Sequence, residues 1–389
     1  MTSPRRNATG TITRRRFMGQ AATLAAAGAA AAVPGADGAA AGTGGKKPNL
    51  LFVFSDEHAW DMLGCYGSTQ VMSPNIDRLA EEGLRFNHCV SSSPVCTPYR
   101  GMLMSGQHPL RNGAMSNDIQ LLTDNGRYFG HVLRDAGYRM GYVGKWHLYG
   151  GDRNRPIPAG PHRHGFDGVF LSNNCHVNYT PGQCFYWNED GEKVFFPKWE
   201  VFGQTAQALD FLEDCSEDDP FALFVSWHPP HDNGRTKDKV WRYDTIPELM
   251  SLYDPDTIEF RENFDSERHD KRSYHGHMAM ITGLDMAFGW IMKKLEQKGL
   301  ADNTIVVFTS DHGDLLGSNG RPWPKGFPED GSVRVPLIVR WPGRLAAGEE
   351  RDLLVGSLDL MPTLLSLMDL PVPETCEGRD LSKPILQGD

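Results

Sequence analysis

Beyond residue 45 the chain alternates short, uninterrupted apolar runs with stretches in which apolar residues return every three or four positions. The runs at 49–54 (NLLFVF), 140–143, 221–227, 304–309 and 335–340 are continuous rather than alternating, which is the pattern of strands buried on both faces. The longer period appears at 128–136, 205–212, 275–298 and 358–368. In the third of these, Met278, Ile281, Leu284, Phe288, Ile291 and Leu295 form one stripe that a core must cover. Ser73 and Pro74 open a further helix through Glu82, with Gly83 as its stop. Apolar strands separated by helices predict an α/β fold, a mostly parallel central sheet with helices on both faces. The segment 233–272 breaks the rhythm with charge, Pro247, Pro255 and five aromatic residues, and reads as an insertion on the substrate side.

The 389 residues suffice for one large or two smaller domains. A net charge of -10 gives no sign of nucleic-acid binding, although a cationic pocket can sit inside an acidic protein. Residues 1–45 differ from the rest: Arg14, Arg15 and Arg16 precede an Ala-rich run at 21–33, too short and too weakly apolar for a membrane span. This is a signal peptide, and TRRRFMG resembles the twin-arginine export signal. The expected partner is therefore the twin-arginine export machinery, and the expected location is periplasmic, cell-surface or extracellular. No other stretch is long enough to cross a bilayer, which leaves 46–389 as the folded unit. The seven cysteines form no CxxC pair. Setting Cys96 aside, six can pair in an oxidising compartment, Cys175 with Cys184 as the nearest local pair, or remain buried thiols.

In an open parallel sheet, ligands bind beyond the carboxyl ends of the strands. Four apolar runs stop there at polar clusters: Ser55-Asp56-Glu57-His58, Gly144-Lys145-Trp146-His147, His228-Pro229-Pro230-His231 and Ser310-Asp311-His312-Gly313. Asp56, Glu57, Asp311 and His312 supply mainly oxygen with one nitrogen, a donor set for Ca²⁺, Mg²⁺ or Mn²⁺ rather than a closed zinc site. A fifth cluster, PVCTPYRGMLMSG at 94–106, places Cys96 at a predicted helix N-terminus, with Ser92 or Ser93 as cap, Pro98 in the first turn and Arg100 one turn on. There a thiol pKa falls and an anion is held. Metal ligands beside Lys and Arg point to a phosphoryl or sulfuryl substrate.

The stretch CTPYRGMLMSG resembles the sulfatase signature, in which the cysteine of CxPxR is oxidised to formylglycine. NLLFVFSDEHAWDMLGCYG, VGKWHL, and TSDHGDLLG followed by KG and VRVPLIVRWPG are similar, in family order, to its metal-binding, lysine-histidine and closing segments. The chain is thereby identified as a member of the type I, formylglycine-dependent sulfatases of the alkaline-phosphatase-like superfamily. The resemblance implies that Asp56, Glu57, Cys96 as formylglycine, Asp311 and His312 hold one divalent metal, commonly calcium. Lys145 and Lys325 would hold the sulfate oxygens, Arg100 would orient position 96, and His147 and His231 would move protons, with His228 competing for the last role. One hydroxyl of the hydrated aldehyde would attack sulfur, His231 would protonate the departing alcohol, and His147 would deprotonate the second hydroxyl to expel sulfate. The implied activity is hydrolysis of a carbohydrate or aryl sulfate ester, with a formylglycine-generating enzyme as partner. Two other readings stay open: a phosphonate or phosphate ester hydrolase using the same site, and an inactive protein that binds sulfated glycans. The family's small C-terminal antiparallel sheet is expected to be short or absent. Tyr179, Phe185, Tyr186, Trp187, Trp199 and Trp241 can stack on a substrate ring or simply pack.

Overall fold

The computed structural model describes residues 46–237, 240–266 and 270–388; the predicted leader lies outside them. Eleven strands form one sheet among the described residues: β1 (Asn49–Asp56), β2 (Leu84–Val90), β3 (Arg139–Lys145), β4 (Val169–Asn173), β5 (Phe185–Trp187), β6 (Lys193–Phe195), β7 (Phe221–Pro230), β8 (Thr304–Ser310), β9 (Arg334–Val335), β10 (Leu337–Arg340) and β11 (Glu349–Gly356). The middle of the sheet runs β8-β1-β7-β3-β4, all parallel, so the carboxyl ends of the long apolar strands share one edge. Antiparallel strands close it on both sides, β10 against β8 and β5 against β4.

The principal helices are α1 (Pro74–Glu82), α2 (Cys96–Ser105), α3 (Phe129–Asp135), α4 (Glu200–Glu213), α5 (Lys271–Gln297) and α6 (Leu360–Leu367). Alternate residues of β1 feed two separate cores, as the strand pleat requires. Leu51 and Val53 join the layer of α5, including the predicted stripe of Met278, Ile281, Leu284, Phe288, Ile291 and Leu295. Leu50, Phe52 and Phe54 join the opposite layer with Leu103, Phe129, Leu133 and Leu364. Helices thus cover both faces, as the apolar pattern predicts.

The departures have local causes. The run at 335–340 divides at Pro336, which has no N–H for a ladder, so β9 pairs with β2 while β10 pairs with β8 and β2. Helix α5 begins before its predicted start because Asp270 caps it, its carboxylate accepting from the Arg272 N–H at 2.9 Å. At α2 neither Ser92 nor Ser93 is the cap. Val95 holds that position without a side-chain bond, and Asn117 Oδ1 instead accepts from the Thr97 N–H at 3.1 Å. The Cys175–Cys184 pairing is also absent, since all seven cysteines are free. Cys184 Sγ lies on Glu200 at 3.5 Å, whereas Cys175 faces His147. After β11 the described chain continues into α6 and a last helix, Ser382–Gln387, with no further strand. No helix among the described residues is long and apolar enough to cross a membrane.

Candidate active site

Four neighbouring strand ends build the site. β1 delivers Asp56 and Glu57, β8 delivers Asp311 and His312, β3 delivers Lys145 and His147, and β7 delivers His231. Cys96 is the first residue of α2 and points into the same space. The strands approach closely because Gly144 lacks a side chain: a Cβ there would lie 2.0 Å from the Ser226 carbonyl oxygen, and Gly144 also has φ +125°.

Arg100 is fully buried and all five of its N–H groups find acceptors. Its Nε and Nη2 bind Asp311 Oδ2 at 3.1 and 2.9 Å, Nη2 also reaches Asp56 Oδ2 at 3.2 Å, and Nη1 binds the Lys145 carbonyl and Ser226 Oγ, each at 2.7 Å. Lys145 Nζ takes Asp56 Oδ2 as well. The outer oxygen of each aspartate is therefore held by a fixed cation. The inner oxygens, Asp56 Oδ1 and Asp311 Oδ1, both lie 3.5 Å from His312 Nε2. Cys96 Sγ is 3.3 Å from that nitrogen and 3.5 Å from Asp56 Oδ1.

His312 Nδ1 lies 3.0 Å from the Gly313 carbonyl oxygen, which fixes the proton on Nδ1 and turns the Nε2 lone pair toward the carboxylates. Ligand atoms of Asp56, Cys96, Asp311 and His312 all fall within 4.8 Å of one another. Acceptors that converge in a buried space repel unless a positive charge stands among them, so this donor set fits a divalent cation. Glu57 borders it. One of its oxygens, Oε2, pairs with Lys325 Nζ at 2.8 Å, and the other, Oε1, is buried without a hydrogen-bond partner.

Charge sets the protonation states. Burial alone would raise the Cys96 thiol, but Lys145 and Lys325 overcome it and hold it well below the ordinary range. Burial and the nearby Cys96 push Asp56 up, yet Lys145 and His231 bring it down to about 2. Burial and the neighbouring Asp56 raise Asp311, and burial raises Glu57 well above the carboxylate range against the pull of Lys325. Burial opposes the charge on His147, but Cys175 and Asp118 raise it to about 10.

All ten predicted residues come together here. Lys325, from the loop before β9, sits 3.5 Å from Cys96 Sγ and donates to His231 Nε2 at 2.8 Å. His231 Nδ1 is 2.8 Å from the Asp232 carbonyl oxygen, so the imidazole is the Nδ1–H tautomer with its lone pair inward. His228 stands apart from this group: it is buried, its Nδ1 faces the His176 carbonyl at 3.2 Å, and its side chain makes no hydrogen bond to any of the ten, although its carbonyl accepts from the His231 N–H at 3.2 Å. Of the six aromatic candidates, Tyr179, Phe185, Tyr186 and Trp199 are core residues. Tyr179 has a positional use, since its hydroxyl donates to the His231 carbonyl at 3.0 Å.

Sequence reasoning missed Asp118 and Arg153. Asp118 Oδ1 accepts from His147 Nε2 at 3.1 Å, and Arg153 grips the same carboxylate through Nε at 2.8 Å and Nη2 at 2.7 Å. Neither residue follows a strand or joins a motif, so no spacing signal marks them. Glu57, Asp118 and His147 all adopt left-handed backbone, with φ of +64°, +67° and +55°. Such conformations gather where a site dictates side-chain direction.

A mostly parallel sheet carrying this cluster on its carboxyl edge defines the alkaline-phosphatase and sulfatase class of α/β fold. The solved structure of a Bacteroides fragilis protein assigned as the sulfatase YidJ superposes with TM-score 0.81 at 31% identity, over 90% of this chain and 81% of that one. The chain belongs to the sulfatase family, whose model, described as Sulfatase, matches residues 48–370. It is 32% identical over 349 residues to the ulvan-active sulfatase of Formosa agariphila, covering 88% of this chain and 66% of that protein. It is 29% identical to human N-acetylgalactosamine-6-sulfatase, with the same two shares, 88% and 66%. The chain thus spans about two thirds of the length of these curated relatives.

Proposed function

We propose that the protein hydrolyses a sulfate ester, most favourably one carried by a carbohydrate, to an alcohol and inorganic sulfate. The observation that carries this reading is the convergence on position 96 of a buried acceptor cluster and three fixed cations, Arg100, Lys145 and Lys325. Such a space neutralises the anionic oxygens of a tetrahedral sulfuryl group and the charge that develops as its ester bond breaks. The carbohydrate preference is supported by the relatives, one named for ulvan and one for N-acetylgalactosamine.

Asp56, Asp311, His312 and the position-96 side chain would hold a divalent cation, with calcium favoured by the oxygen-rich donors and Glu57 completing the set. That ion would supply positive charge to the sulfate oxygens, and conversion of Cys96 to formylglycine by a dedicated modifying enzyme, followed by hydration of the aldehyde, would supply the nucleophilic hydroxyl. The other steps belong to the chain. Lys145 and Lys325 would hold the sulfate oxygens beside position 96. Arg100 locks both aspartates, so the donor geometry costs no reorganisation when substrate arrives. His147 keeps a proton on Nε2 against Asp118, which turns Nδ1 toward position 96 as the atom through which it would exchange a proton there. The proton that His231 Nε2 would pass to the departing alcohol comes from Lys325 Nζ, which donates to that nitrogen at 2.8 Å. The twin-arginine-like leader supports export before this chemistry is used.

The test is sulfate release from 4-nitrophenyl sulfate and from sulfated oligosaccharides, beside 4-nitrophenyl phosphate and a phenyl phosphonate ester, with mass spectrometry of the peptide containing Cys96. We expect sulfate release, an aldehyde in place of the thiol, and complete loss of turnover in Cys96→Ala. A phosphoester rate far above every sulfate rate, or an unmodified thiol in a protein that releases no sulfate, overturns the reading.

A further inference from the structure

Among the site residues only two reach solvent on the substrate side: the side chains of His231 and Lys325 are 15% and 16% exposed, whereas Asp56, Glu57 and Lys145 are fully covered. The way in therefore lies where the segments carrying these two residues meet. Directly after His231 the chain folds back on itself. Asn233 N donates to the Arg242 carbonyl at 2.6 Å and Arg242 N to the Gly234 carbonyl at 2.9 Å, and Arg235 pairs with Trp241 in an antiparallel bridge. From the other side comes Trp323, two residues before Lys325, so their Cα atoms lie within about 7 Å of each other.

The two segments join in a stack. The Arg235 guanidinium carbon lies 4.0 Å from the Trp241 ring centroid and 5.0 Å from that of Trp323, and the two indoles are 5.7 Å apart. One guanidinium N–H is spent on the Pro322 carbonyl at 2.6 Å. Arg235 is otherwise exposed and, among the described residues, pairs with no carboxylate. Trp323 is 57% exposed. Single exposed apolar residues are ordinary on any surface. Here, however, the exposed indole is rigidified by a cation and a second indole, and the chain ties it to both residues at the entrance. Indoles receive the C–H face of a sugar ring, and a guanidinium edge receives a sulfate or carboxylate borne by that ring.

We propose that Trp323, Arg235 and Trp241 form a platform for a second, anionic saccharide next to the one whose ester is cleaved, so that the natural substrate is a multiply charged glycan rather than a lone sulfated sugar. The inference rests on the sulfatase reading of the site, and the test separates the two. Binding of tetrasaccharides from chondroitin sulfate, heparin and ulvan is measured by calorimetry on the wild-type protein, Trp323→Ala and Arg235→Gln, alongside turnover of 4-nitrophenyl sulfate. Trp323→Ala should weaken the bound tetrasaccharide roughly tenfold, the equivalent of one lost stacking contact. Arg235→Gln should weaken it most at low salt. Turnover of the small aryl ester should stay within about twofold of wild type in both, because the platform lies outside its reach. A tetrasaccharide bound through the platform by a protein that releases sulfate neither from it nor from the aryl ester would sink the sulfatase reading and leave the platform standing. Wild-type affinity in both variants, no wild-type binding to any of the three tetrasaccharides, or an equal loss on the aryl ester would overturn the platform, the last by showing that the stack only props the Lys325 loop.

Discussion

Asp118 shows how a residue without any motif can govern one that has a motif. Its carboxylate holds the Nε2–H of His147 while Arg153 holds the carboxylate, and this leaves Nδ1, buried and otherwise unpartnered, on the side of Cys96 and Cys175. A neutral amide of the same shape would let the imidazole turn or change tautomer. Asp118 also sits at φ +67°, a conformation that asparagine tolerates at least as well as aspartate. Asp118→Asn therefore removes the charge without disturbing the backbone. It should lower kcat roughly 10–100-fold, the usual cost of losing a partner that orients a site imidazole. KM for a small sulfate ester should move far less, and Asp118→Glu should restore part of kcat. Unchanged kcat in Asp118→Asn would show that His147 needs no orienting carboxylate.

At the level of elements, helix α5 was the most legible part of the chain, because its apolar stripe from Met278 to Leu295 repeats over about five turns and only a core explains that. What the stripe could not reveal is why glycine stands just before it, at position 276. A Cβ on Gly276 would lie 1.6 Å from the Tyr243 carbonyl oxygen, so the insertion packs backbone-on-helix there, and the Tyr243 hydroxyl then reaches Asp314 Oδ2 at 2.6 Å. Gly276→Ala gains about 1 kcal/mol of helix propensity, but the clash cannot be relieved by a side-chain rotation. Overpacking of this kind costs about 1–3 kcal/mol, so the variant should have a lower urea midpoint and a displaced insertion. A midpoint at or above wild type would show that the insertion yields freely. The same contrast explains the strands. Those with both faces buried announce themselves as continuous apolar runs, whereas β2 (LRFNHCV) alternates and the edge strand β11 (EERDLLVG) is largely charged and exposed. Neither carries a continuous apolar run, and it is pairing with each other and, for β2, with β9 and β10 that makes them strands.

Across the whole molecule, each motif was readable where it stood, but the sites they share were not. Glu57 N bonds to Asp311 Oδ1 across 254 positions, and Lys325 reaches Glu57 across 268. Only the parallel order β8-β1-β7-β3 brings such ends together, and a periodicity reading yields strands without their order. The resemblance to a family, whose segments recur in one sequence order, supplied that missing step. The assembled site then makes a claim on the stability of the entire fold. Arg100 and Lys145 neutralise the outer oxygens of Asp56 and Asp311, but the inner oxygens, His312 Nε2 and the position-96 side chain still face one another as acceptors. Those four groups lie far apart in an unfolded chain, so a divalent cation that binds the native cluster binds little else. By mass action it should stabilise the fold by about 2.7 kcal/mol at a hundredfold excess over its dissociation constant. After dialysis against a chelator the thermal midpoint should therefore fall, and calcium should restore it at lower concentration than magnesium, which demands a stricter octahedron. Asp311→Asn should abolish the calcium-dependent part of the shift. If neither calcium, magnesium nor manganese moves the midpoint, the lysines and Arg100 alone balance the carboxylates, and the metal-ligand roles of Asp56, Asp311 and His312 fall together.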